Sequence, residues 1–273
     1  MNNPFFTEFH DKGTGITFRI KKELFRGRSE FQEVLVLDTE TFGRMLVLDG
    51  LVMLTERDEF VYHEMLTHPA FSFKEQVKKV GVIGGGDGGT IREVLKYPEV
   101  LSVHLIEIDR LVVDVSLKYL EFTSYALKDE RVKIYYEDGV KYLKEHNEDF
   151  DIIFVDSSDP VGPALSLYSM DFYEGIKKNL KADGIVVFQS ESVWYHLDVI
   201  KKQMDALKKV FKHTNLYLAP VPTYPGGYWS FTIASDIAFI TRRNHFPDNL
   251  RYFNKDVQKC LFALPRFVKD ATG

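Results

Sequence analysis

From Tyr62 onward the chain alternates short apolar runs with stretches of helical period, and this rhythm leaves few folds open. KKVGVIG, VLSVHLIEID, VKIYYED, FDIIFVD and GIVVFQSE read as strands. TIREVLKYP, RLVVDVSLKYL, VKYLKEH, MDFYEGIKKNL and VIKKQMDALKKVF read as the helices that follow them in turn. Strands separated by helices make βαβ units, hence a mostly parallel sheet covered on both faces. VGVIG and DIIFVD are apolar throughout, as strands buried on both sides require. TNLYLAPV and WSFTIAS end the pattern with only a Pro/Gly loop between them, so the last strands pair antiparallel. Ahead of the first of these strands, HEMLTHPAFSF reads as a helix ended by Pro69.

Upstream the period is two. GITFRIKKELF alternates apolar and polar residues, and QEVLVLDTE, GRMLVLDG and LVMLTE follow, with Asp49-Gly50 as a two-residue hairpin turn. The expected class is therefore α/β, with a small N-terminal antiparallel β-domain over residues 1–60 and a larger domain over 61–273 carrying a mostly parallel sheet. Composition narrows the function. With 35 basic against 40 acidic residues the net charge is −5, a poor match to a dedicated nucleic-acid binder. The lone Cys260 allows no intramolecular disulfide and fits a reducing compartment. The N-terminal residues lack the features of a signal peptide, and no apolar run reaches the roughly 18 residues of a membrane span. The expectation is a cytoplasmic protein without a membrane or nucleic-acid partner.

In doubly wound sheets ligands bind beyond the carboxyl ends of the strands. Gly84-Gly85-Gly86-Asp87-Gly88-Gly89 stands at such an end, with GxGxxG spacing between a strand and a helix. The next strand ends at Glu107, where an acid accepts the hydrogen bonds of a ribose diol. Together they indicate a nucleoside-containing ligand. Asp87 turns that reading away from a dinucleotide. A carboxylate inside the loop repels a pyrophosphate, or the carboxylate of S-adenosylmethionine, and favours an ammonium group. FDIIFVD delivers a second acidic turn, Asp156-Ser157-Ser158-Asp159-Pro160. An alkyl ammonium has a reference pKa of about 10.4, and only its neutral form is a nucleophile. A carboxylate here can take that proton while another holds the far end of a diamine. The same residues also suit a plain turn and helix cap. Asp138-Gly139 and Glu191 add acids after two more strands. Tyr62, His63 and Tyr224 supply rings suited to sulfonium and ammonium groups, although aromatic residues serve more commonly as core. His63-Glu64 and His68 are spaced HExxxH, not the HExxH of a zinc helix, and no metal is expected.

GGGDGGTIREVLK, the EID at 107–109, DSSDPVGPA and PTYPGGYWSF, with FQEV at Gln32, LDG at 48–50 and DEFVYHEM around Tyr62-His63, resemble the spermidine synthases, the polyamine aminopropyltransferases. The resemblance runs in order over nearly the whole chain. It implies a methyltransferase-like Rossmann domain behind the β-domain, and transfer of an aminopropyl group from decarboxylated S-adenosylmethionine to putrescine. The products would be spermidine and 5′-methylthioadenosine, formed by direct SN2 attack without a cofactor, the donor being a co-substrate. Carried to matching positions, it implies that Gln32 contacts the nucleoside thioether and that Glu107 binds the ribose. Asp138 and Gly139 take the adenine side, with Pro163 in the same pocket. Tyr62, His63 and Asp87 hold the aminopropyl and polyamine portion. It likewise implies that Asp156 is the proton acceptor, that Asp159, with Ser157 and Ser158 of the same turn, and Tyr224 contact the polyamine, and that Glu191 reaches the far ammonium. Asp156 to about Tyr173 matches the family's gatekeeping loop, and members are commonly dimers or tetramers. Ser190 to Trp194 occupies the family's most variable stretch, which leaves the acceptor open among putrescine, cadaverine, agmatine and spermidine. A methyltransferase, a nicotinamide oxidoreductase and a non-catalytic polyamine-binding module are the rival readings. The first is separated by Asp87, the second by the pyrophosphate that an acidic loop denies, and the third by turnover.

Overall fold

The computed structural model describes residues 4–157 and 167–273. Five antiparallel strands form the N-terminal sheet in sequence order: β1 (Phe5–Phe9), β2 (Gly15–Arg28), β3 (Glu33–Thr39), β4 (Gly43–Leu48) and β5 (Leu51–Thr55). Asp49 and Gly50 link the last two with φ of 48° and 86°, the doubly positive pair of a type I′ hairpin. The sequence pattern begins its strands at Gly15, so β1 is an addition. FFTEF has no clean alternation, and Phe5 and Phe9 are 58% and 73% exposed. It is a strand because its backbone pairs β2 from Phe5 opposite Arg19 to Phe9 opposite Gly15.

The second sheet has seven strands: β6 (Lys79–Gly84), β7 (Ser102–Glu107), β8 (Val132–Tyr136), β9 (Phe150–Asp156), β10 (Leu180–Ser192), β11 (His213–Pro220) and β12 (Tyr228–Ser235). Their order is β11-β12-β10-β9-β6-β7-β8. Strands β10, β9, β6, β7 and β8 run parallel, and β12 lies antiparallel between β10 and β11. Val80 and Val82 of β6 face a core shared with α1 (Glu59–Phe73) and α2 (Gly89–Val94). Ile83 faces the opposite core, with α5 (Gly139–Glu145), α6 (Met170–Asn179) and α7 (Leu197–Val210). Helix α3 (Arg110–Tyr119) packs Val112 and Val115 against Val34, Val36 and Leu46 and so fastens the small sheet to the large one. Three short helices, α4 (Glu121–Ser124), α8 (Lys255–Lys259) and α9 (Arg266–Thr272), complete the α-helices of the described residues.

Pro69 does not end α1; the helix runs through it to Phe73. A proline leaves the carbonyl four residues earlier without its usual donor. That carbonyl, of Met65, accepts instead from the Tyr217 hydroxyl at 2.8 Å, so β11 supplies what the helix lacks. Helix α1 is buried on every side except at Phe60, and most of its polar residues find internal partners, the Thr67 hydroxyl being an exception. The Glu64 carboxylate, for example, accepts the backbone amides of Arg251, Tyr252 and Phe253 at 2.8 Å each. The chain order reverses between β6, which continues to β7 on one side, and β9 on the other. Gly84 and Asp156 stand opposite each other at that switch point, where a doubly wound sheet opens a crevice.

Candidate active site

The glycine loop is shaped by what it must avoid. Gly84 has φ of 77°, and a Cβ there would lie 2.3 Å from the Asp156 carbonyl oxygen. A Cβ on Gly89 would lie 2.2 Å from the His63 ring. The loop therefore passes close to both the β9 end and α1, around a cleft of about 370 Å³. Gln32, Tyr62, His63, Asp87, Glu107, Asp138, Gly139, Asp156, Ser157 and Tyr224 all line it.

On the nucleoside side Glu107 ends β7 and is buried. Its Oε2 accepts the Gly86 amide at 3.1 Å and its Oε1 the Asp109 amide at 2.8 Å. Burial pushes its carboxyl up to about 7. Asp109 caps α3 through Oδ1, and its Oδ2 accepts Gln32 Nε2 at 2.9 Å and Ser29 Oγ at 2.8 Å. Gln32 is thereby tied to the Rossmann side of the pocket from the other domain's β2–β3 turn. Asp138 caps α5 by accepting the Lys141 amide at 2.9 Å.

Asp87 lies next to a buried ion chain. His63, 1% exposed, sets Nε2 3.4 Å from Asp87 Oδ1 and Nδ1 2.6 Å from Glu59 Oε2. Glu59 also takes a two-pronged contact from Arg92, NH1 at 2.8 Å and NH2 at 2.9 Å. Burial opposes a charged imidazole, but Asp87 and Glu59 outweigh it and push His63 up to about 10. Burial likewise opposes a charged Asp87, and the His63 cation holds its carboxyl below the ordinary carboxylate range.

Asp156 has a different environment. Tyr62 donates to Oδ1 at 2.6 Å and Thr90 to Oδ2 at 2.6 Å. Both donors are neutral, and no Lys or Arg among the described residues pairs with it. Burial, then repulsion from Asp87, raises its carboxyl above the ordinary range. Tyr62 and Tyr224 meet edge to face, with ring centroids 5.5 Å apart, and the Tyr224 hydroxyl donates to the Met53 carbonyl. His63, Asp87 and Asp156 present ligand atoms within 4.8 Å of one another, one group among the described residues compact enough for an ion.

One expectation changes in detail. Glu191 is buried at 1% exposure but is not part of the cleft wall. It sits at an irregularity near the end of β10 with φ of 87°, and its Oε2 pairs with His196 Nδ1 at 3.0 Å. Ser158, Asp159 and Pro163 lie outside the described residues. The structure also adds Glu8, a buried cleft-wall acid from β1 whose Oε2 accepts the Val52 amide at 2.7 Å. Burial pushes it up to about 7. Thr90, Glu59, Arg92 and Asp109 are also additions. DEFVYHEM and GGTIREV contain three of these four, but nothing in their spacing says which side chains meet.

Comparison with known proteins gives the same picture from outside. The model of the spermine/spermidine synthase domain matches residues 59–244, and that of the spermidine synthase tetramerisation domain matches residues 5–56. A polyamine aminopropyltransferase of Caldicellulosiruptor bescii is 45% identical over 97% of this chain and 96% of its own length. One from Shouchella clausii is 43% identical over 97% of this chain and 98% of its own. A crystal structure of spermidine synthase in complex with the transition state analogue AdoDATO superposes with a TM-score of 0.96 at 35% identity, covering 100% of this chain and 96% of that one. The spermidine synthase of Thermotoga maritima gives a TM-score of 0.93, also at 35% identity, covering 100% of this chain and 95% of that one.

Proposed function

The chain belongs to the spermine/spermidine synthase family, and from that premise we propose that it moves the aminopropyl group of decarboxylated S-adenosylmethionine to putrescine, releasing spermidine and 5′-methylthioadenosine. The observation that carries this reading is Asp156: a half-buried carboxylate held by two hydroxyls, without a cation of its own, beside a second carboxylate that has one. Such a site is matched by a doubly cationic donor and an amine that arrives with a proton to lose.

In this reading Asp156 takes the proton from the acceptor ammonium. The nitrogen lone pair then attacks the aminopropyl carbon beside sulfur, the C–S bond breaks, and its electron pair neutralises the sulfonium. The leaving group is already activated, so the protein's tasks are alignment and proton removal. Alignment contributes up to about 7–11 kcal/mol in well-oriented reactions, and a general base about 10²–10⁴-fold. Asp87 anchors the donor's ammonium, Glu107 the ribose diol, Gln32 the thioether side, and Asp138 with Gly139 the adenine. Tyr62 and Tyr224 wall the reacting centre with ring faces suited to cations. Glu8 is an acid on the β1 side of the cleft able to meet a second ammonium. Residues 1–60 and 61–273 are taken as the two domains of a cytoplasmic homodimer or homotetramer.

Product analysis tests the assignment. The protein is incubated with decarboxylated S-adenosylmethionine and, separately, putrescine, cadaverine, agmatine and spermidine. Spermidine and methylthioadenosine in equal amounts from the putrescine reaction are expected. Turnover with S-adenosylmethionine and none with the decarboxylated donor overturns the reading.

A further inference from the structure

Behind Asp87 lies a row of buried charges that the proposed transfer does not use directly. It alternates in sign: Asp87, His63, Glu59, Arg92, then Glu93, whose Oε1 accepts Arg92 Nε at 2.8 Å. Glu93 is in turn paired with Lys96 at 2.7 Å and His68 at 2.9 Å. Such a row is costly to bury unless each member has a partner, and here each one does. Only Asp87 and His63 line the cleft; Glu59 and Arg92 do not.

We propose that Glu59, locked by the two-pronged grip of Arg92, is a positioning residue that clamps the His63 ring so that both ring nitrogens donate, and thereby presents Asp87 to the donor as a fixed carboxylate. The geometry carries the inference. Imidazole has two donors only when protonated, and His63 has a carboxylate oxygen at each nitrogen. Arg92 bridges α2 to α1, so the orientation of Glu59 is set by the same helix that follows the Asp87 loop. The groups facing His63 are Glu59 on its own helix, Asp87 from the glycine loop, and Asp156 from β9, with the neutral Tyr62 ring at 5.2 Å. Removing the Glu59 charge leaves a buried imidazole with less to hold its proton. Once neutral, it no longer compensates the buried Asp87 charge, and the donor's anchor weakens as pH rises.

The inference rests on the aminopropyl-transfer reading for its consequence, and the experiment separates the two. His63 is titrated by NMR in the substrate-free protein, its ring signal identified by loss in His63→Gln. The wild type is expected to show no titration of this ring between about pH 6 and 9, and Glu59→Gln to show a midpoint inside that range. In parallel, Glu59→Gln is expected to raise the donor KM at least about tenfold at pH 8, less at pH 6, with kcat within about threefold. Arg92→Lys, which keeps the charge and loses the fork, is expected to move both readouts in the same direction by less. It decides the matter if Glu59→Gln does not fold. A folded variant whose His63 stays protonated through pH 9, or whose loss falls on kcat alone without pH dependence, overturns the positioning role. A shifted titration in a protein with no aminopropyl transfer leaves the clamp standing and removes the functional reading instead.

Discussion

Tyr62 and Asp156 are 94 residues apart in the chain and joined by a 2.6 Å hydrogen bond from phenol to carboxylate. The bond fixes one oxygen of the proposed base, and Thr90 fixes the other. Asp156 thus has a set orientation without a charged partner to quench it, the state a general base needs.

Asp156→Asn tests the base directly. The amide keeps size and most hydrogen bonding but cannot accept the amine's proton. We expect kcat to fall by at least ~10² while methylthioadenosine binding, followed by calorimetry, is little changed. Near-normal kcat removes Asp156 from the role.

Tyr62→Phe tests the hydrogen bond. Burial and then Asp87 raise the Asp156 carboxyl, while the Tyr62 hydroxyl acts in the opposite sense. Deleting the hydroxyl therefore moves the acid limb of the kcat/KM profile to higher pH, because the carboxyl must lose its proton to act. An acid limb that stays in place or moves down argues that another group controls it.

Asp87→Asn separates charge from shape in donor recognition. Decarboxylated S-adenosylmethionine carries an ammonium and a sulfonium, and methylthioadenosine carries neither. Donor affinity should drop by about tenfold or more, as loss of a charged hydrogen bond predicts, with methylthioadenosine affinity nearly unchanged. Equal losses for both ligands mean that the substitution disturbed the loop rather than an ammonium site.

Glu8→Gln makes a stability prediction. Glu8 is raised from 4.5 to about 7 in the folded protein, so the native state binds its proton more tightly than the unfolded chain does. Its contribution is present in full below about pH 4.5 and is lost as pH rises through 7. The neutral variant, which can still accept the Val52 amide, should gain on the wild type across that window by the order of 1–3 kcal/mol. Thermal unfolding of the ligand-free proteins between pH 5 and 8 measures the difference, and a constant gap refutes the assignment of that slope to Glu8.

Much of the site was open to local reading. Glu107, Asp87 and Asp156 each follow an apolar run, and the rule that such runs end at a ligand crevice places all three without coordinates. Glu59 was not legible in this way. It is the first residue of a helix that the sequence pattern starts four residues later, at His63, and its partner Arg92 is 33 residues away. Acidic and basic residues in an apolar helix ordinarily mark a solvated face, and periodicity cannot tell that face from one buried against other charges. Glu8 was hidden for a related reason: β1 is a strand by pairing with β2, with little alternation of its own.

The amino-acid order alone determined the two-part α/β architecture, the antiparallel end of the large sheet and the acids at its strand ends, because periodicity and turn chemistry act over a few neighbouring residues. Only the tertiary structure decided that Asp87 receives a cation and Asp156 two hydroxyls, that Glu191 turns to His196 away from the cleft, and that α1 continues through Pro69. Apart from Glu191 and His196, which are five residues apart, those outcomes depend on groups 24 to 152 residues apart reaching contact inside the fold, and such encounters leave no trace in local spacing.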